Sequence, residues 1–359
     1  MPAEVLPVDP SAPDPETVGR AARALRDGLL VIFPTETVYG LAARADRPDA
    51  VAALRAAKGR EGAKPLTLHF PTLEEALRRF GPLPEGAARL AERRLPGPVT
   101  LVVPDPAGGT AGVRVPDDAV ARAVLEAAGC PVVATSVNLS GEPPATTGAA
   151  AAASEAGRRA AVVLDAGPAR LGKPSTVVRF EGDRVEILRE GAVPADEALE
   201  DAARLMLFVC TGNLCRSPLA AAIAAKVMAD RRGIGVGDLL SRGRVARSAG
   251  TAAGTGNAAT PESVAEGRRL GVDLSGHRSS PVTPTLVGRS HRVFTAEASH
   301  RRAILEFVPE AARRVDLLDP AGRDLADPFG RGADAYGRMA SLAAEAVRRR
   351  SEEGTLEGG

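Results

Sequence analysis

The chain has 359 residues, of which 25% are charged and 44% hydrophobic, enough apolar material for a core and too much for global disorder. Its length suggests two domains, or one large one. The 46 basic and 45 acidic side chains leave a formal charge of +1, which excludes a strongly basic nucleic-acid coat but not a local basic pocket.

Lysine occurs only at positions 58, 64, 173 and 226, so nearly all positive charge is arginine, the better fork for phosphate and carboxylate. Three cysteines, Cys130, Cys210 and Cys215, cannot build a disulfide scaffold. The four histidines are far apart and form no Cys/His cluster, so no metal site is assigned. Met1 to Pro15 lacks an apolar signal core, and the apolar run Pro218–Ala229 is interrupted by Lys226 and too short for a bilayer. A soluble, cytoplasmic protein with reduced thiols and no membrane partner is expected.

In chain order, residues 17–27 read as a helix and Leu29–Phe33 as a short strand ended by Pro34. A helix over Ala50–Ala57 and a strand over Pro65–Phe70 follow. Leu101–Val103, Val113–Val115 and Val132–Ala134 are short β segments between Pro/Gly turns. Ala149–Ala161 is alanine-rich, a helix or a surface loop with a helix. Val162–Asp165, Ser175–Phe180 and Val185–Arg189 are further strands, and the acidic stretch 194–204 reads as a linker or connecting helix. Leu205–Val209 then opens an alternation of strand and helix signals, with a helix expected from Pro218. The expected fold is α/β in two domains: an open twisted α/β sheet over 1–195, a linker over 196–204, a doubly wound parallel domain over 205–350, and a disordered tail over 351–359.

The second half carries the sharper chemistry. Cys210-Thr-Gly-Asn-Leu-Cys-Arg216-Ser217-Pro218 sets a cysteine and an arginine six apart across a strand-to-helix turn. Such a turn aims backbone N–H groups at an anion, and the helix N-terminus adds partial positive charge. Arg216 can grip two phosphate oxygens, Cys210 can attack phosphorus as a thiolate, and Ser217 can hydrogen-bond the sulfur. Thr211, Gly212, Asn213, Leu214 and Cys215 complete the phosphate loop; Gly212 permits the tight turn and Asn213 tolerates left-handed backbone. Cys-to-Arg spacing alone fits a buried thiol before a helix cap equally well. The carboxyl of Asp327, in Asp327-Pro-Phe-Gly330, could protonate a leaving oxygen and later activate water.

These residues, with Ser248-Ala-Gly-Thr251 and Gly271-Val-Asp-Leu-Ser-Gly-His-Arg278, resemble the low-molecular-weight protein-tyrosine phosphatase family from about Leu205 to Val347. The resemblance implies Cys210 as nucleophile, Arg216 as phosphate ligand, Ser217 as thiolate partner, Asp327 as general acid, no cofactor and a phosphorylated protein as substrate. Ala258-Ala-Thr-Pro261 and Ser279-Ser-Pro-Val-Thr283 look like the bacterial branch acting on phosphoarginine. That branch has threonine where this chain has Leu214, and the stretch after Thr251 lacks the aromatic that rims a phosphotyrosine pocket. The related arsenate reductases need a further cysteine, and none follows Cys215. Cys215 itself is either a protective disulfide partner of Cys210 or a buried packing thiol.

The first half has no Gly-rich loop ending in Gly-Lys-Ser/Thr, so any ATP site uses scattered groups. Phe33-Pro-Thr-Glu-Thr-Val-Tyr-Gly-Leu41, Lys58-Gly-Arg60, Pro65-Leu-Thr-Leu-His69, Pro96-Gly-Pro-Val-Thr-Leu101, Gly112-Val-Arg-Val-Pro116, Ser136-Val-Asn-Leu-Ser-Gly141 and Ser175-Thr-Val-Val178 follow one another in order. Together they resemble the YrdC-like threonylcarbamoyl-AMP synthase family over about Val18–Val193. The resemblance implies that L-threonine, bicarbonate and ATP are joined into threonylcarbamoyl-adenylate with release of pyrophosphate, feeding the tRNA-modification machinery. Lys58, Arg60, Ser136 and Asn138 would form the nucleotide pocket, Thr35 and His69 would hold threonine, and Ser175 would lie near the triphosphate. Lys58, Arg60 and Arg114 would screen the repulsion among three anions, with Mg²⁺ on the phosphates. Pro174 stands where the family often has glutamate. Two rivals stay open: a first half that only binds tRNA or double-stranded RNA, and a second half that only senses anions.

Overall fold

The computed structural model describes residues 3–59, 66–139 and 141–356. Its contacts separate two compact units, Met1–Ala202 and Ala203–Gly359.

In the first unit the elements follow as β1 (Glu4–Pro7), α1 (Pro15–Arg26), β2 (Val31–Phe33), β3 (Gly40–Arg44), α2 (Pro48–Ala57), β4 (Thr67–His69), α3 (Leu73–Phe80) and α4 (Glu85–Arg94). Then come β5 (Val99–Pro104), β6 (Thr110–Arg114), α5 (Ala119–Ala128), β7 (Val132–Ser136), α6 (Gly148–Ala153), β8 (Val162–Asp165), β9 (Thr176–Glu181), β10 (Arg184–Arg189) and α7 (Ala195–Ala202). Among the described residues the ten strands form one mixed sheet in the order β1-β8-β2-β3-β7-β4-β6-β5-β9-β10.

Both faces of β2, β7 and β8 are covered, which is why these strands read as apolar runs. Val31 and Phe33, Val132 and Ala134, and Val162 and Leu164 meet α1 and α5 on one face. The residues between them, Ile32, Val133 and Val163, meet α2 and α6 on the other. Helix α1 shows how local sequence sets such an element. Asp14 caps its N-terminus by accepting from the Thr17 N–H at 2.8 Å, Pro15 starts it, and Val18, Ala21, Ala22 and Leu25 make its buried stripe.

The second half of the sheet is different, because among the described residues only one face meets helices. Val99, Leu101 and Val103, Ala111, Val113 and Val115, and Val178 and Phe180 pack toward α3, α4 and α7. The alternate residues Thr100, Val102, Gly112, Arg114, Val177 and Arg179 face an open cavity. The strand period therefore decides which side chains reach a ligand, and a one-residue slip would exchange the two sets.

The second unit runs β11 (Arg204–Cys210), α8 (Arg216–Arg232), β12 (Arg244–Gly250), α9 (Pro261–Arg269), α10 (Pro284–Arg289), β13 (Arg292–Thr295), α11 (Ala298–Phe307), β14 (Val315–Leu317) and α12 (Ala333–Glu352). Its four strands are all parallel, in the order β12-β11-β13-β14. Met206, Phe208 and Cys210 of β11 face α8 and α12, while Leu207 and Val209 face α10 and α11. The sheet is covered on both sides, and β11 ends at the point where strand order reverses, the usual mouth of such sheets.

Of the two readings of 194–204 the connecting helix is the one found: α7 buries Ala198 and Ala202 against α4 and pairs Asp201 with Arg94. Several elements differ from the sequence reading. Helix α8 starts at Arg216 rather than Pro218, and Pro218 is its third residue, still among the positions whose N–H has no helical acceptor. The tail expected over 351–359 instead continues α12 to Glu352, and Leu356 is fully buried in the core beside it. Strands β1 and β3 and helices α3, α4 and α5 carry no element in the sequence reading. The start of the expected strand at Pro65, and Arg60 and Ser140, lie outside the described residues. No helix among the described residues is long and apolar enough to cross a membrane.

Candidate functional site

The cavity on the first unit has a volume of about 430 Å³. Thr35, His69, Arg114, Ser136 and Ser175 all line it, although 140 residues separate the first from the last. Lys58, at the end of α2, is buried and donates from Nζ to the Ser136 carbonyl at 2.6 Å and to Asn138 Oδ1 at 2.8 Å. Ser136 Oγ donates to the same Oδ1 at 2.6 Å, and the Asn138 amide is anchored by the Leu139 and Glu142 carbonyls. Lysine, serine and asparagine thus form one satisfied cluster reaching the cavity through Ser136. Asn138 lies beyond the end of β7, so a turn rather than strand alternation brings it back to Ser136.

Arg114 is buried and reaches Glu36 Oε1 at 3.1 Å, with Thr37 Oγ1 also accepting from it. Its Nε is a buried N–H with no protein acceptor. Such a donor costs about 1–3 kcal/mol unless a ligand supplies the acceptor. Thr35 spends its hydroxyl hydrogen on its own turn, donating to the Val38 carbonyl at 2.6 Å. His69 Nδ1 lies 3.0 Å from the Thr67 carbonyl and must donate to it, which leaves Nε2 as an acceptor. Burial, helped by the Arg114 charge, pushes the His69 pKa down to about 3. Ser175 Oγ sits 2.9 Å from Thr100 Oγ1 and accepts from Arg189 Nη2 at 3.2 Å.

Arg179 and Arg189 also line the cavity, and the sequence reading missed both. A signal for Arg179 exists, because it follows Ser175 and Val177 at period two on β9. Arg189 is brought in by the β9–β10 hairpin, which places it opposite Val177. Among the described residues no group of three His, Cys, Asp or Glu side chains is placed to hold a metal ion.

In the second unit Cys210 ends β11 and its Sγ is 3.0 Å from Ser217 Oγ. Asn213 adopts φ 54°, the left-handed turn that folds the loop back on itself. Its Nδ2 donates to Ser217 Oγ at 3.0 Å and to Ser248 Oγ at 2.9 Å, while its Oδ1 accepts from the Ser280 N–H at 2.9 Å. His277 Nε2 donates to the Asn213 carbonyl at 2.8 Å. The buried Asn213 therefore locks the loop and steers Ser217 toward the sulfur.

Arg216, on the first turn of α8, is buried. It donates to Glu297, to the Leu325 carbonyl at 3.0 Å, to Thr211 Oγ1 at 3.1 Å and to Asp327 Oδ2 at 2.8 Å. A cavity of about 220 Å³ above the loop is lined by Cys210, Thr211, Gly212, Leu214, Cys215, Arg216, Asp327 and Phe329. Of the residues expected at this site, Cys210, Thr211, Gly212, Leu214, Cys215, Arg216 and Asp327 line this cavity, while Asn213 takes the left-handed turn and Ser217 lies against the sulfur. Cys215 Sγ lies 3.4 Å from Tyr336 Oη and 3.5 Å from Thr260 Oγ1. Phe329, Glu297 and His300 were not read from the sequence. Phe329 supplies an exposed aromatic at the mouth, from the Asp-Pro-Phe-Gly turn rather than from the stretch after Thr251.

Comparison with known proteins follows the same division. Residues 23–191 match the Sua5–YciO–YrdC family model, described as telomere recombination, and residues 205–353 match the low molecular weight phosphotyrosine protein phosphatase model. A threonylcarbamoyl-AMP synthase of Bacillus subtilis is 37% identical over 197 residues, 52% of this chain and 56% of the relative. A putative threonylcarbamoyl-AMP synthase of Mycobacterium tuberculosis is 36% identical over 200 residues, 52% of this chain and 91% of the relative. A solved structure of Sua5 from Pyrococcus abyssi shares the fold, with TM-score 0.50 and 22% identity, covering 94% of this chain and 96% of that one. The chain spans little more than half of the Bacillus relative. The chain belongs to the threonylcarbamoyl-AMP synthase family through its first half, and its second half matches the low molecular weight phosphatase model.

Proposed function

We propose that the protein is a bifunctional enzyme. Its first unit joins L-threonine, bicarbonate and ATP into L-threonylcarbamoyl-adenylate and releases pyrophosphate, for threonylcarbamoyladenosine in tRNA. Threonine carboxylate, bicarbonate and triphosphate repel one another, so the site must supply positive charge and donors. The observation that supports this reading is the convergence of Arg114, Arg179 and Arg189 with Ser136 and Ser175 on one cavity, where Arg114 keeps an unused buried N–H. Held neutral, His69 offers Nε2 to a donor such as the threonine hydroxyl or amine. Mg²⁺ is read as arriving with ATP on its phosphates. The bonded cluster of Lys58, Ser136 and Asn138 counts against a purely RNA-binding first half. Purified protein given threonine, bicarbonate and MgATP should release pyrophosphate; release that persists without threonine would overturn the assignment.

The second unit is read as a phosphatase working through a cysteinyl-phosphate. Cys210 attacks phosphorus in line, the bond to the leaving oxygen breaks, and Asp327 gives that oxygen its proton. Water, giving a proton back to the same carboxylate, then attacks phosphorus, the S–P bond breaks, and phosphate and the Cys210 thiolate are released. The supporting observation is the sulfur held at 3.0 Å from Ser217 on a loop whose far end presents Arg216. Cys210→Ser should abolish hydrolysis of an aryl phosphate, since serine is a far poorer nucleophile at neutral pH; persisting activity would exclude the covalent route. Leu214 and Phe329 make the mouth apolar, which favours phosphotyrosine. Phosphoarginine is the second reading, and parallel assay of the two phosphopeptides decides between them.

A further inference from the structure

His300 lies outside the loop, yet its ring is tied to it at both ends. Glu297 caps α11, and its backbone N–H donates to His300 Nδ1 at 3.1 Å. A backbone N–H can only donate, so Nδ1 carries the lone pair and the ring proton sits on Nε2. That Nε2 is 2.8 Å from Thr211 Oγ1, the side chain next to the Cys210 nucleophile. Arg216 Nη2 donates to the same oxygen at 3.1 Å. Two donors therefore occupy both lone pairs of the Thr211 hydroxyl. Its own hydrogen has no acceptor in the described protein, and Thr211 faces the cavity shared with Cys210, Arg216 and Asp327.

We propose that Thr211 donates its hydroxyl hydrogen to a phosphoryl oxygen of the substrate, and that His300 is the positioning residue that, with Arg216, turns it there. This inference rests on the phosphatase reading of the second unit. It adds a side-chain ligand to a loop that otherwise binds through backbone N–H groups and one arginine. The ring suits the task because burial and the neighbouring Arg216 charge lower its pKa, keeping it neutral with a single donor. Protonation of Nδ1 would break the bond to Glu297 and set a second cation beside Arg216.

The test is a double-mutant cycle with p-nitrophenyl phosphate as substrate and inorganic phosphate as inhibitor, on the full chain. Thr211→Val and His300→Ala should each lower kcat/KM by about 10- to 100-fold, the worth of one hydrogen bond to a charged group, and weaken phosphate inhibition by a similar factor. Once Thr211 is valine, His300→Ala should cost less than about twofold more, because the two act as one unit. Thr211→Ser, which keeps the hydroxyl, should stay within about threefold of the parent. Losses that multiply in the double variant, or a Thr211→Val protein with parental rates, overturn the proposal. If His300→Ala does not fold, the Val and Ser variants of Thr211 still decide the ligand role. A parent chain that hydrolyses no aryl phosphate overturns the phosphatase reading instead. Stabilisation by inorganic phosphate, lost in Thr211→Val and kept in Thr211→Ser, then still decides whether the hydroxyl binds phosphate.

Discussion

His69 shows how much one burial decision can fix. The unfolded histidine takes up a proton below its ordinary value near 6.5, but the native ring refuses it until about 3. Across that window the unfolded chain binds more protons, so stability is greatest above pH about 6.5 and falls as acid is added. Denaturant midpoints at pH 7 and pH 5 should therefore drop more for the parent than for His69→Gln; equal drops would show that another group controls acid sensitivity. Lys58 makes a different prediction. Its ammonium bridges Ser136 and Asn138, so Lys58→Ala should cut pyrophosphate release by at least about tenfold, the scale of one lost buried charged hydrogen bond. The residue types and order of this site were legible in the sequence, because each block is a short motif. Arg179, Arg189 and Phe329 were not, since an arginine in a strand or a phenylalanine in a turn has no local sign of what it faces. His300 was hidden for a further reason: its value lies in a contact with Thr211, 89 positions away.

Elements were legible where the chain is apolar and bounded by proline or glycine, as at β2, β8 and β11. They were not where the strand is poor in β-branched residues, as in Gly40–Arg44, or where it lies at the sheet edge and contains proline, as in β1. At α7 linker and helix stayed open because its buried face is largely alanine, whose burial shows only against α4. Sheet order is set by partners far away and has no local signature. Gly112 tests the role of β6 in shaping the cavity. A Cβ there would lie 2.8 Å from Thr67 Oγ1 and 3.1 Å from the Thr67 Cα, both on the paired strand β4. Gly112→Ala should destabilise the first unit by about 1–3 kcal/mol, the usual cost of overpacking, and weaken ATP binding. Unchanged stability together with unchanged nucleotide affinity would show that β4 yields without consequence.

At the scale of the whole chain, each unit has its own sheet and its own apolar clusters. Unfolding is then expected in two calorimetric steps rather than one. MgATP should raise only one midpoint and inorganic phosphate only the other, each by the free energy of its own binding, about 2.7 kcal/mol at a hundredfold excess over Kd. A single transition that both ligands shift would show that the two cores melt as one. The division into two units was visible in the order of motifs, whereas the order of residues 351–356 was not, because that segment is polar on average and ordered by a few buried side chains.

Asp327 lies 2.8 Å from the Arg216 guanidinium. The guanidinium already holds two carboxylates, Glu297 and Asp327, so an incoming anion competes with internal counter-ions for it. Observed affinity is what the anion gains beyond the carboxylate contacts it displaces. Asp327→Asn should thus hold inorganic phosphate more tightly than the parent even as it turns over alkyl phosphates more slowly, a divergence of grip from speed that equilibrium titration beside steady-state rates would reveal.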